Sequence, residues 1–116
     1  MSEAIRKYKA EVFQALAHPT RVAIIELLHD GELSVGELCQ KLSLEPANVS
    51  KHLTILRSKS ILSARKVANS VFYSIRDPAI SQVFLLLRGF CVTHVAEMSR
   101  MVENDEPAAA TSLSPS

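Results

Sequence analysis

The chain has 116 residues, of which 47% are hydrophobic and 22% charged, and its formal net charge is +1 at pH 7. This length supports one domain with a modest core and excludes two. No stretch reaches the roughly 18 uninterrupted apolar residues of a membrane span, and the N-terminus has no apolar stretch of signal-peptide type. We therefore expect a cytoplasmic protein without membrane contact. Its two cysteines are too few for a disulfide framework, as expected in a reducing compartment.

The charge is unevenly distributed along the chain. Three of the 12 acidic residues follow Val102, so residues 1–102 carry 13 basic and nine acidic groups, a net of +4. Between Pro46 and Arg76 there are six basic residues and no acidic one. Such a local field attracts phosphate groups, although a solvated positive face without a ligand has the same pattern.

Apolar residues at helical spacing predict two helices at the start of the chain. The first runs from about Glu3 to Ala17. Pro19 fits the first turn of the second, which is apolar on most sides and which Asp30-Gly31 ends.

A helix-turn-helix is predicted next. Ser34 and Glu37 have the spacing of a capping box, so a short helix begins at Val35. Pro46 fits the first turn of a second helix. Its buried stripe is Val49, Leu53 and Leu56, and its outward face carries Ala47, Asn48, Ser50, Lys51 and Thr54. A short helix followed closely by an amphipathic one is the arrangement of a DNA-binding helix-turn-helix.

The period of the apolar pattern then changes from about 3.6 to about 2, which indicates strands. Leu62–Val67 and Val71–Ile75 are predicted to pair through a turn at Ala68-Asn69-Ser70, forming a β-hairpin, the wing. Asp77-Pro78 begins a last helix that runs to about Val102 with a broad apolar face. Residues 103–116 are predicted to be a disordered acidic, Ser, Pro and Ala tail after one domain of residues 1–102.

The order helix, helix, strand, helix, helix, strand, strand, helix, with its particular residues, resembles the ArsR/SmtB family of metal- and stress-responsive repressors. The likeness is carried by four blocks: Leu16–Arg21, Leu33–Leu38, Val49–Arg57 and Val71–Tyr73. It implies a mainly α, winged helix-turn-helix fold with a small β-hairpin. It also implies a homodimer that binds a palindromic double-stranded operator and represses transcription until an effector, such as a metal ion or thiol oxidant, releases it.

Two other classes of protein were weighed. An enzyme is not expected, because the sequence has no Gly-rich phosphate loop and nothing that resembles an activated nucleophile. A winged-helix module that binds protein partners, with an incidental basic face, stays open as the alternative.

The chain departs from the family pattern at two turns. Ser60 and Ala68 stand where relatives usually have glycine, and a non-glycine residue in the left-handed region costs roughly 1 kcal/mol, so we expect both turns to be altered. Asn69 replaces a common arginine, which weakens the grip of the wing on phosphate by about one charge.

Residues for DNA contact follow from this arrangement. The first turns of a recognition helix enter the major groove, so Asn48, Ser50 and Lys51 are candidates for base contacts, with a phosphate contact equally open for Ser50. His52 is expected to pack against the preceding helix instead. The complete set of candidates is Asn48, Ser50, Lys51, Thr54, Lys59, Arg65, Lys66 and Asn69.

The terminal helices are the candidate dimer surface, because the last one carries more apolar surface than a monomer leaves exposed. The predicted interface residues are Ile5, Tyr8, Val12, Phe84, Leu87, Phe90, Val95 and Met98. Alternatively, the stripe covers the core of its own chain.

The effector is left open between a divalent metal ion, a redox signal and none, and no cofactor is certain. Family members that sense arsenicals have a cysteine pair where this chain has Ser34 and Gly36, so Cys39 alone cannot form a three-sulfur site. Cys91, His94 and Glu97 share one helical face and could supply half a metal site, although the favoured alternative is a core Cys91, an interfacial His94 and a solvated Glu97. A Cys39–Cys91 bridge would need Cα atoms within about 7 Å, and a buried, inert Cys39 is the expectation.

Overall fold

The computed structural model describes residues 2–104. The predicted mainly α winged helix-turn-helix order is confirmed. The elements are α1 (Glu3–Leu16), α2 (Pro19–Leu28), β1 (Leu33–Ser34), α3 (Val35–Leu42), α4 (Pro46–Ser58), β2 (Leu62–Val67), β3 (Ser70–Ile75) and α5 (Pro78–Asn104). Apart from Glu103 and Asn104, which close α5, the predicted tail lies outside the described residues.

The chain divides into two compact units, residues 1–81 and residues 82–116. The core belongs to the first unit, where residues from α1, α2, α3, α4 and β2 bury their side chains. Its members are Ala15, Leu16, Ile24, Ile25, Leu28, Leu38, Val49, Leu53, Leu56, Ile61 and Leu62.

Side-chain caps mark where α3 and α5 begin. The predicted capping box is confirmed: the Ser34 hydroxyl accepts from the Glu37 amide at 3.1 Å, and the Glu37 carboxylate accepts from the Ser34 amide at 2.9 Å. At α5, the Asp77 carboxylate accepts from the Ala79 amide at 2.9 Å. Because these bonds satisfy amides that have no partner within a helix, the starts of α3 and α5 could be read from the sequence.

The wing belongs to a three-stranded antiparallel sheet in the order β1-β3-β2. Leu33 pairs with Tyr73, and Leu62 pairs with Ile75 on the other side of β3. The hairpin turn has only two central residues, because Ser70 already pairs with Val67. The sheet therefore ties the wing to the segment between α2 and α3.

The expectation that the turns at Ser60 and Ala68 are altered is wrong. Both residues keep the left-handed conformation, with φ of 59° and 54°. At Ser60 the turn is held by an Ile61 amide bond to the Leu56 carbonyl at 3.1 Å, and Ile61 is buried directly after it. Packing therefore overrides the local backbone cost.

This strain can be measured in the wing. We expect Ala68→Gly to raise the free energy of unfolding by about 0.5 kcal/mol, because relief of the left-handed alanine exceeds the extra entropy of glycine in the unfolded chain. Ala64→Gly, within β2, is the matched control and should lower it by about 0.5–1 kcal/mol. Urea denaturation measures both, and equal effects of the two substitutions would contradict the strain.

The second unit is a helix with much apolar surface. Large apolar side chains are exposed all along α5, among them Leu86 at 79% and Phe90 at 64%. The Phe90 and His94 rings stack with centroids 5.6 Å apart. Among residues 2–104, Pro78–Glu103 is the one helix long and apolar enough to cross a membrane by length and composition, with a mean hydropathy of 1.5 over its most apolar 18-residue window. The helix also contains four charged residues, Arg88, Glu97, Arg100 and Glu103.

Candidate nucleic-acid interface

Helix α4 separates a buried stripe from a polar face. Val49, Leu53 and Leu56 are fully buried against the core of the first unit. The opposite face is exposed, and it carries Ala47, Asn48, Ser50, Lys51 and Thr54. The predicted inward and outward residues of α4 are therefore confirmed, and four DNA-contact candidates lie together on one surface.

The wing adds a second polar surface. Arg65, Lys66 and Asn69 are exposed on β2 and the turn. The Arg65 guanidinium lies over the Phe72 ring of β3, 5.4 Å from its centroid. This contact holds the guanidinium of Arg65 against the wing.

Two of the predicted phosphate contacts form ion pairs with acidic residues from outside the acid-free segment. Arg65 pairs with Glu32, which raises the pKa of the guanidinium. Lys59 pairs with Glu11 of α1 at 2.8 Å, and the hydrogen bond from its ammonium lowers the pKa of the Glu11 carboxyl. The charge count along the sequence therefore overstates the positive charge presented to DNA.

Lys59 is also bound to α1 through its main chain. The Tyr8 hydroxyl donates to the Lys59 carbonyl at 2.5 Å. With Glu11 on the ammonium, Lys59 joins the end of α4 to α1. Of the eight predicted DNA-contact residues, Lys59 is the only one that is not exposed.

His52 is buried, with 5% of its surface exposed, on the side of α4 that faces α2. Its burial agrees with the expectation that it packs inward, and the ring contacts Arg21 and His18 of the α2 region, while its packing against α3 stays a prediction. Burial is the largest cause that lowers the pKa of His52, followed by the charges of His18, Arg21 and Lys51. No periodic pattern along the chain indicates this cluster.

The predicted sensor residues do not form a metal site within one chain. Among residues 2–104, no three His, Cys, Asp or Glu side chains come together as ligands. Cys91, His94 and Glu97 are exposed, and His94 is stacked on Phe90. Cys39 is half-buried rather than buried, and both cysteines are free thiols. A metal or redox role for these residues stays a prediction.

The predicted dimer residues are mostly exposed. Val12 and Phe84 are half-buried, and the others are exposed: Ile5, Tyr8, Leu87, Phe90, Val95 and Met98. Phe13 of α1, which is not among the predicted interface residues, is also exposed. Both terminal helices therefore present apolar side chains to solvent.

Comparison with known proteins places the chain in a family. The model of the bacterial arsR family of regulatory proteins matches residues 18–63. The chain is 42% identical over 88 residues to Rv0081 of Mycobacterium tuberculosis, named an uncharacterized HTH-type transcriptional regulator, with 75% of this chain and 77% of that protein covered. It is 37% identical over 81 residues to the transcriptional activator HlyU of Vibrio cholerae, covering 69% and 75%. It is 36% identical over 92 residues to the biofilm growth-associated repressor of Agrobacterium fabrum, covering 76% and 79%.

Solved structures of similar proteins have the same fold as this chain. The crystal structure of Rv0081 matches with a TM-score of 0.75 at 37% identity, covering 84% of this chain and 99% of that one. The solution structure of the homodimeric winged helix-turn-helix DNA-binding domain of Mb0332 from Mycobacterium bovis matches with a TM-score of 0.76 at 25% identity, covering 84% and 93%. The family model, the relatives and the shared fold together show that the chain belongs to the ArsR family of bacterial regulatory proteins and is a winged helix-turn-helix transcriptional regulator, not an enzyme.

Proposed function

We propose that the chain binds a two-fold symmetric operator as a homodimer in the cytoplasm, with α4 in the major groove and the wing on the adjacent backbone or minor groove. One observation carries this proposal. Lys51 of α4 and Lys66 of the wing are exposed and form no ion pair among residues 2–104. They present positive charge on both parts of the predicted contact surface, where Asn48 and Ser50 supply hydrogen-bonding groups.

A second copy of the chain is part of the proposal. One recognition helix reaches one major groove, whereas a two-fold pair reaches two grooves about 34 Å apart. The exposed apolar side chains of α5 supply the kind of surface that a homodimer buries. That Mb0332 is described as homodimeric supports the same assignment. We therefore assign the apolar surface of α5 to a partner copy rather than to a membrane.

The direction of regulation and its signal also belong to the proposal. We favour repression with release by an effector, as the name of the Agrobacterium fabrum relative suggests, while HlyU is named an activator. The exposed Cys91 thiol, with His94 one turn further on, is the candidate group for a thiol oxidant or a metal ion.

A salt series tests operator binding. Duplexes selected from a random library by the purified chain are compared with shuffled duplexes by fluorescence anisotropy. A regulator binds the selected duplex more tightly and loses affinity linearly in log salt, with a slope of about −0.9 for each phosphate contact. Equal binding of both duplexes with a slope near zero would favour the protein-interaction module instead.

The Arg65–Glu32 pair gives a further prediction. Glu32→Gln removes the carboxylate that competes with phosphate for Arg65, so we expect a few-fold gain in DNA affinity and a salt slope steeper by about 2 per dimer. Glu26→Gln is the matched control, because Glu26 is an exposed carboxylate of α2 that forms no ion pair with Arg65. Anisotropy at several salt concentrations measures both variants. If both variants raise the DNA affinity equally, the gain comes from the change in net charge and not from release of Arg65 from Glu32.

A further inference from the structure

Arg21 of α2 joins three helices through one side chain. Its Nε donates to the Ala15 carbonyl near the end of α1 at 2.5 Å. Its Nη1 lies 3.2 Å from Nδ1 of His52 on α4. The planar guanidinium makes both contacts at a fixed angle, so it fixes the position of α4 relative to α1 and α2.

His18 completes the cluster. Its ring lies 4.5 Å from the His52 ring, centroid to centroid. Its Nδ1 accepts the Thr20 amide at 3.1 Å and so caps the start of α2. The two rings therefore lie in contact where α2 begins and α4 passes.

Both histidines use Nδ1 as a hydrogen-bond acceptor, and this sets their protonation state. A guanidinium only donates, so the Nδ1 of His52 must carry a lone pair, with the proton on Nε2. The Nδ1 of His18 must likewise be free of a proton to accept the Thr20 amide. An imidazolium carries hydrogen on both nitrogens, so protonation removes both bonds and leaves like charges in contact beside Arg21.

We propose that Arg21, His18 and His52 form an acid-sensitive clamp that positions the recognition helix, so that protonation of the histidines weakens DNA binding. The inference rests on the proposed function, in which α4 carries the DNA-contact face. His52 follows Lys51 directly, so a displacement of the ring moves the segment that bears the proposed base contacts.

Among residues 2–104, no carboxylate belongs to the charged groups that act on His52. Glu11 of α1 is bound to Lys59, Glu37 of α3 is bound in its capping box, Glu26 of α2 is exposed, and the charged residues of β2 are the cations Arg65 and Lys66. The charged groups that act on His52 are His18 and Arg21 from the α2 region and Lys51 from α4 itself.

The sign of the effect follows from these charges. The pKa of His52 lies below its ordinary value of 6.5, mainly because the ring is buried. The clamp is therefore intact above pH 6.5 and is lost as the pH falls from 6.5 through the lowered pKa. Protonated histidines elsewhere on the surface add positive charge and strengthen attraction to phosphate. A loss of affinity in acid thus distinguishes the clamp from general electrostatics.

The test measures binding of the selected duplex between pH 7.5 and 5.5 at constant ionic strength. We expect the wild-type chain to lose affinity about threefold or more. In the double variant His18→Asn/His52→Asn, each Asn oxygen occupies the position of Nδ1 and accepts the same bond without titrating. This variant should bind within about threefold of wild type at pH 7.5 and show no acid loss.

His29→Asn is the matched control, because His29 is exposed and outside the cluster, and it should keep the wild-type acid loss. Wild-type affinity that is constant or higher at pH 5.5 overturns the clamp, as does an acid loss that persists in the double Asn variant. Arg21→Lys keeps the charge but not the two-bond geometry, and it should weaken binding at pH 7.5, whereas Arg6→Lys on exposed α1 should not.

A measurement without DNA separates this inference from operator binding. In NMR spectra of the free protein, we expect His52 to carry its proton on Nε2 and the Thr20 amide, which His18 accepts, to shift as the pH falls. A proton on Nδ1 of His52 at pH 7.5 overturns the clamp whether or not the chain binds DNA. If the chain shows this NMR signature but does not prefer the selected duplex, the clamp is supported and only the proposed function is refuted.

Discussion

Phe90→Glu is expected to convert the homodimer into monomers and, as a result, to remove tight operator binding. Phe90 is 64% exposed in the single chain, and Leu86 and Val95 are exposed on the same helix. Aromatic side chains of this kind supply much of the binding energy in interfaces. A glutamate there loses the apolar contact and requires burial of an unpaired charge, and a symmetric dimer incurs both costs twice. The dimer dissociation constant should rise about 100-fold or more.

Sedimentation velocity over a concentration series measures this change, and anisotropy measures the accompanying loss of DNA affinity. Thr93→Glu is the control, since Thr93 is an exposed residue of α5 whose neighbours along the helix include Gly89, Glu97 and Arg100. It introduces the same charge and should leave both measurements close to wild type. A Phe90→Glu chain that remains dimeric at micromolar concentration would remove this part of α5 from the interface. A monomeric chain with undiminished affinity would instead separate dimerisation from DNA binding.

The parts of the fold that could be predicted from the sequence are those set by neighbours along the chain. The Ser34–Glu37 capping box spans three residues, and the buried stripe of α4 repeats at helical spacing. The alternation of β2 and β3 identified the wing in the same way. Each signal lies within a short window, so one sequence was enough to place these elements and the exposed face of α4.

The interactions that modify the candidate site join residues far apart in sequence. Lys59 and Glu11 are 48 positions apart, Arg65 and Glu32 are 33 apart, and Arg21 and His52 are 31 apart. No periodic pattern records such pairs, because they depend on how the helices pack. The count of positive charge between Pro46 and Arg76 therefore located the contact surface but not which of its cations are already paired.

The two left-handed turns failed as predictions for a related reason. Local propensity disfavours Ser60 and Ala68 in that conformation by roughly 1 kcal/mol each. Tertiary burial of Ile61 and Leu62 directly after Ser60 involves larger free energies than this cost. A turn followed by well-packed residues can thus keep its geometry without glycine, whereas the exposed Ala68 keeps its left-handed conformation in the two-residue turn that the pairing of β2 with β3 closes.

Lys51→Ala is expected to lower affinity for the selected operator by about 30-fold or more, because a good base contact contributes about 1–3 kcal/mol and the dimer makes it twice. Lys51 is exposed on the first turns of α4 and forms no ion pair among residues 2–104. If Lys51 contacts a base, affinity for the shuffled duplex should fall much less than affinity for the operator. The specificity ratio, which is the operator affinity divided by the shuffled-duplex affinity, should therefore also fall. Anisotropy with both duplexes at fixed salt measures this ratio.

Lys66→Ala supplies the contrast, because Lys66 lies on the wing, where contact with phosphate is expected. This substitution should weaken binding to both duplexes equally and reduce the slope of log affinity against log salt by about 2 per dimer. Lys41→Ala removes the same charge from a pocket that also contains Glu26, Asp30 and Glu32, where negative charge disfavours phosphate, and it should change little. Should Lys51→Ala behave like Lys66→Ala on both duplexes, Lys51 contacts phosphate, and base recognition on α4 falls to Asn48, Ser50 and Thr54. Should it behave like Lys41→Ala, this face of α4 does not enter the groove, and the proposed orientation of the recognition helix is wrong.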